Sequence, residues 1–191
     1  MKSENRHTAQ AWIDLGDRYR QQGSMNRGLS LYRQVADQKP NSVLAIFKTA
    51  LALQQAGEPD EAAEAYRQAL ILDPSLAQAW NNLGGILKES GAYEEALACF
   101  RRAVSLNPEL PQAHFNLGYL FEKAGRVAEA LSSYEKALSL EPDSVKINSQ
   151  LVFLMQASCT WRSIDTVSYT HLRAHETQEV ISYAVFCLKK G

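Results

Sequence analysis

At 191 residues the chain has the length of one domain, and a composition 46% apolar and 21% charged is that of a folded globular protein rather than a disordered or fibrous one. A net charge of -1 without a basic stripe gives no electrostatic reason to expect nucleic acid or an anionic membrane as partner. Cys99, Cys159 and Cys187 are odd in number and unpatterned, which fits a reducing compartment better than a disulfide framework.

The chain opens on MKSENRHTAQ, a polar stretch with no apolar segment that would read as a signal peptide or membrane span. Residues 1–8 are therefore expected to form a polar tail, and the cytoplasm is the default location. From residue 9 a period of 34 takes over. Gly23, Gly57, Gly91 and Gly125 keep that step, as do Pro40, Pro74, Pro108 and Pro142. Such a period, with a glycine inside and a proline at the end, predicts a solenoid of helix-turn-helix units. Helices are expected at 9–22 and 25–38, 43–56 and 59–72, 77–90 and 93–106, and 111–124 and 127–140.

Each column of the repeat has a physical task. Gly16, Ala50, Gly84 and Gly118 on the first helix of each unit, with Gly28, Ala62, Ala96 and Ala130 on the second, are small enough to let the two helices approach closely. Tyr32, Tyr66, Phe100 and Tyr134 follow four residues later and supply the large ring beside that contact. Val35, Ala69, Ala103 and Ala137 complete the stripe. The glycine column falls where the first helix must end and turn back, which favours a residue tolerant of positive φ. The proline column stops the second helix. Trp12, Ile46, Trp80 and His114 share one further column, so a packing role for His114 is preferred over a catalytic one.

The segment AWNNLGGILKESGAYEEALACFRRAVSLNPE, residues 79–109, carries all of these columns and resembles a member of the tetratricopeptide repeat family. Four copies run in register over 9–42, 43–76, 77–110 and 111–144, the fourth closing with Pro142. The first departs from the pattern at Gly28 and Val35, the second at Ile46 and Thr49. The resemblance implies an all-α, right-handed α-solenoid of stacked helical hairpins.

After Ser144 a fifth unit begins and fails. Residues 145–157 are helical in pattern, but the matching second helix is missing, so 145–165 is expected to be a partial repeat and connection. Leu151, Val152, Leu154 and Met155 form an apolar run with nothing obvious downstream to cover it, which suggests a missing neighbour. From Val167 onward VSYTHLRAHET resembles a translated sequencing-library adapter, and ISYAVFCL, residues 181–188, resembles the other end of the same adapter. Residues 166–191 are accordingly expected to be adapter read-through without a native fold. His171 and His175 within that stretch have the i, i+4 spacing of a metal pair but lack the HExxH glutamate, and no ligand is assigned there.

Outside the tail there is no GxxxxGK phosphate loop, no GxSxG elbow and no Cys/His set with metal spacing. Cys99 lies beside the ring of Phe100 without a visible histidine partner and reads as a passive thiol. No enzyme activity, cofactor or metal is expected of this chain alone. A stacked helical array offers instead a concave surface lined by the first helix of each pair. By family resemblance its exposed columns include Asp14, Asp17, Lys48, Leu51, Asn82, Asn116 and Tyr119, with Gln150 in the partial repeat. Asn82, Asn116 and Gln150 make a ladder of amides that could donate to and accept from a peptide backbone, although amides are also tolerated on any solvated face. Phe47, Leu51, Phe115, Tyr119 and Phe153 would make the groove partly apolar, Phe47 and Leu51 being better read as packing between repeats.

Two functions remain open on the sequence. One is a scaffold that binds an extended peptide or helix of another protein in the groove, with no claim on oligomeric state. The other is an acceptor-binding arm of a larger enzyme. Asn82 and Asn116 before Leu-Gly resemble the asparagine ladder of protein O-N-acetylglucosaminyltransferases. Cys159 and Trp161 within residues 150–165 resemble the connection that follows the repeats in bacterial relatives of that family.

Overall fold

The computed structural model describes residues 4–158. Among them are nine helices and no strand: α1 (Glu4–Gln21), α2 (Met25–Gln38), α3 (Val43–Ala56), α4 (Pro59–Leu72), α5 (Ala77–Glu89), α6 (Tyr93–Leu106), α7 (Pro111–Lys123), α8 (Val127–Leu140) and α9 (Val145–Ser158). The chain divides into two compact units at Ala113/His114. In the first, each helix from α1 to α5 packs on the next in chain order, and α1 also touches α3. In the second, α8 packs on α9, and Gly118 of α7 meets the ring of Tyr134 of α8.

The hairpin turns are set by the glycine column. Gly23, Gly57, Gly91 and Gly125 have φ between 71 and 84°, a left-handed conformation that costs any residue with a Cβ roughly 1–2 kcal/mol. At each turn two bonds close the helix end. At the second, Gly57 N–H donates to Gln54 O and Glu58 N–H donates to Leu53 O, so carbonyls left over by the helix are satisfied. The other end of each hairpin is cut by proline. Lys39, Asp73, Asn107 and Glu141 precede the four prolines and leave the helical region, with ψ between 76 and 94°, as the ring of a following proline requires.

Within a hairpin the small column is pressed against the ring. A Cβ added at Gly16 would lie 2.6 Å from Cε1 of Tyr32, and one at Gly118 would lie 2.7 Å from Cδ1 of Tyr134. Tyr32, Tyr66, Phe100 and Tyr134 are all fully buried. Each such ring stabilises the fold by about 1.5–3 kcal/mol through removal of apolar surface from water. The departures in the second repeat are absorbed locally. Ile46 is buried in the tryptophan column, and the Thr49 hydroxyl donates to the Ala45 carbonyl at 2.9 Å, a bond that hides a polar group inside its own helix.

Two expectations are corrected here. α1 begins at Glu4 rather than residue 9, because no glycine or proline between them interrupts it and the polar residues present are tolerated in a helix. The apolar run of α9 is not an exposed surface: Leu151, Leu154 and Met155 are buried, Val152 is half-buried, and the large side chain left outside is Phe153, at 58% exposure. His171, His175, Cys159, Trp161 and the adapter-like segment lie outside the described residues.

Candidate functional site

The columns expected to line a groove lie on the first helix of each hairpin. In the first unit these are Asp14 and Asp17 of α1, Lys48 and Leu51 of α3, and Asn82 of α5. Asp14 is exposed and accepts a bond from Gln10 Nε2 at 2.9 Å, whereas the other four are half-buried. Asp17 and Lys48 meet directly. Lys48 Nζ donates to both carboxylate oxygens of Asp17, at 3.0 and 2.8 Å, Tyr32 Oη donates to Oδ1 at 2.7 Å, and Arg20 stands 3.8 Å away. Burial works against ionisation of Asp17. The bonds from Lys48 and Tyr32, with the charges of Lys48 and Arg20, outweigh it and hold the carboxyl below its ordinary value.

Asn82 is held in a related way. Its Nδ2 donates to Tyr66 Oη at 3.1 Å, while that hydroxyl donates to Gln54 Oε1 at 2.8 Å. Burial pushes the Tyr66 phenol well above its usual range, so it stays neutral and keeps its proton for Gln54. Phe47 is tilted against the Tyr66 ring with centroids 5.9 Å apart, which assigns it to packing. Gly85, one turn on from Asn82, is open: a Cβ there would meet nothing within 4 Å.

The second unit repeats the arrangement with different groups. Glu122 Oε2 accepts from Tyr134 Oη and from Gln150 Nε2, each at 2.8 Å. Phe115 is tilted on Tyr134 at 5.4 Å, as Phe47 is on Tyr66. Asn116 and Tyr119 are half-buried on the same helix. Lys123 Nζ lies 5.6 Å from the centroid of Tyr119, and Lys146 Nζ lies 4.6 Å from that of Phe115.

What the sequence reading missed is the polar link each core tyrosine hydroxyl starts between hairpins, made by the hydroxyl itself at Tyr66 and through the carboxylate it donates to, Asp17 or Glu122, at Tyr32 and Tyr134. The signal was present: where the ring is a tyrosine, an acceptor stands at Asp17, Gln54 or Glu122. In the third repeat, where the ring is Phe100, the position matching Gln54 and Glu122 is Lys88. Asn82 and Gln150 therefore each spend a donor inside the protein, and only part of the amide ladder is left to face a ligand.

Burial, then the nearby Glu95 charge, pushes the buried Cys99 thiol up, away from the reactive thiolate. No cluster of three metal-ligating side chains exists among the described residues, and none of their helices is long and apolar enough to cross a membrane.

Hairpins of this geometry, joined by left-handed glycines and cut by prolines, define a helical-repeat protein. Residues 51–89 and 84–125 match the profile of the TPR repeat, and residues 111–144 match that of the tetratricopeptide repeat. The chain carries tetratricopeptide repeats. Among solved structures it is similar to PilF of Pseudomonas aeruginosa, at 25% identity and a TM-score of 0.77 over 96% of this chain and 84% of that one. It is similar in fold to MamA of Desulfovibrio magneticus RS-1, at 18% identity and a TM-score of 0.71 over 95% and 93% of the two chains. A third similar fold is YrrB, described as a TPR protein with an unusual peptide-binding site, at 19% identity and a TM-score of 0.67 over 97% and 89%. No curated protein sequence matches the chain.

Proposed function

We propose that the chain is an interaction scaffold that holds an extended segment of another protein, in the cytoplasm, against the faces of its first helices, with no chemistry of its own. In the first unit the contact residues are Asp14, Asp17, Lys48, Leu51 and Asn82; in the second they are Asn116, Tyr119 and Gln150. The observation that carries this reading is that polar side chains on this face are oriented before any ligand arrives. The Tyr32–Asp17–Lys48 and Gln54–Tyr66–Asn82 bridges fix them, and beside Asn82 the bare backbone of Gly85 leaves room for a bound chain. Preorganisation of this kind lowers the ordering cost of binding. One peptide hydrogen bond contributes only about 1 kcal/mol net, so affinity has to be collected over several helices. The peptide-binding site named for YrrB supports the same reading.

Selection of peptides from a random displayed library against the full chain tests it. Selected peptides are expected to protect α3 and α5 from hydrogen exchange and to lose affinity when Leu51→Arg and Asn82→Ala are combined. Protection confined to α4 and α6, or affinity unchanged by the double variant, would refute it.

A further inference from the structure

The first-helix faces of the two units are electrostatically different. In the first unit Lys48 is neutralised by Asp17 at 2.8 Å, an internal ion pair on the face itself. In the second, Lys123 and Lys146 are exposed, and neither forms an ion pair with a described residue. Each rests over an aromatic ring, Lys123 over Tyr119 and Lys146 over Phe115, contacts that orient an ammonium group without cancelling its charge. Glu122 beside Lys123 forms no ion pair with either lysine; its Oε2 is hydrogen-bonded by Tyr134 and Gln150, neutral donors that orient the carboxylate without cancelling its charge. Beyond the lysines, in the column of Tyr119, Phe153 holds an exposed ring.

We propose that the face of α7 and α9 in the second unit selects an acidic, aromatic-containing extended peptide, its carboxylates met by Lys123 and Lys146 and its apolar side chains by Phe153. The proposal rests on the scaffold reading and adds a ligand class to it. Charge complementarity carries the argument: two oriented cations that form no ion pair with a described residue, next to an uncovered ring, match a chain that alternates carboxylate with apolar side chains.

The test is fluorescence anisotropy of the full chain with a labelled peptide alternating Glu and Phe, beside a counterpart with Gln in place of Glu. The Glu peptide is expected to bind about tenfold tighter at low salt, as two exposed ion pairs of a few-fold each would give. The preference should shrink as ionic strength rises, because screening shortens the reach of exposed charges to about 8 Å at 0.15 M. Lys123→Glu combined with Lys146→Glu should abolish it, with helicity by circular dichroism unchanged. Phe153→Ser should weaken both peptides alike. Equal binding of the two peptides, or a preference that survives the double reversal, overturns the proposal and leaves the scaffold reading standing. Failure of both peptides to bind also overturns it, and the scaffold reading is then judged by its own selected peptides.

Discussion

Alanine at Gly85 should stabilise the protein while alanine at the adjacent Gly84 should destabilise it. Both sit inside α5, where glycine is less favourable than alanine by roughly 0.8–1.0 kcal/mol because it gives up more backbone freedom. At Gly85 nothing lies within 4 Å of the new Cβ, so the whole gain of about 1 kcal/mol should appear. For a protein of this size that corresponds to a rise in Tm of roughly 2–4 °C. At Gly84 the Cβ would stand 2.8 Å from Cε1 of Phe100 and 3.1 Å from Cβ of Cys99. Overpacking of this kind costs about 1–3 kcal/mol, which offsets the helix gain and leaves a net loss of roughly 0–2 kcal/mol. The second repeat carries Ala50 in this column beside the buried Tyr66, so the penalty at Gly84 is that of respacing one hairpin, and the fold should survive it. Urea unfolding followed by far-ultraviolet circular dichroism reads both variants, provided the slope m is unchanged. A Gly84→Ala midpoint raised as much as that of Gly85→Ala, or a Gly85→Ala midpoint below the parent, would refute the close-approach argument.

Tyr66→Phe removes the hydroxyl between Gln54 and Asn82 and should cost about 0.5–1.5 kcal/mol, with faster hydrogen exchange in α3 and α5; unaltered exchange would show that the bridge is not formed in solution. The Asp17 carboxyl is depressed in the folded state, so its contribution is present above the ordinary carboxylate value of 3.8 and is lost as pH falls through the lower folded value. Urea midpoints against pH should therefore show Asp17→Asn less stable than the parent at neutral pH, with the two curves converging below pH 3.8; a gap that persists in acid would contradict this. Resequencing of the source DNA should find adapter bases from codon 167 onward, and genomic sequence running smoothly through that codon would dismiss the read-through reading.

Much of the fold could be read from the period alone, because a solenoid writes each constraint several times. The bounds of α2, α3, α4, α6 and α8 fall where the glycine and proline columns place them. The start of α1 was not legible, since capping and propensity signals at Glu4–Ala9 are weak and no breaker marks a boundary. Burial of Leu151, Leu154 and Met155 was also not legible, as one helix cannot announce what covers it. In the site, columns located the helices that carry Lys48 and Asn82 but not their orientation. A hydroxyl at Tyr66 or Tyr134 reads as core filling until the acceptor one helix away is recognised as its partner.

The separation between packing columns and face columns has a consequence for relatives. Alanines, rings, glycines and prolines stabilise the hairpins, and of these only the tyrosine hydroxyls reach the face, where they hold Asp17, Asn82 and Glu122. Face residues outside those bonds, such as the exposed Asp14, can drift without loosening the helices beneath them. A shared scaffold thus does not fix the choice of partner, and two such proteins can superpose closely while answering to unrelated signals.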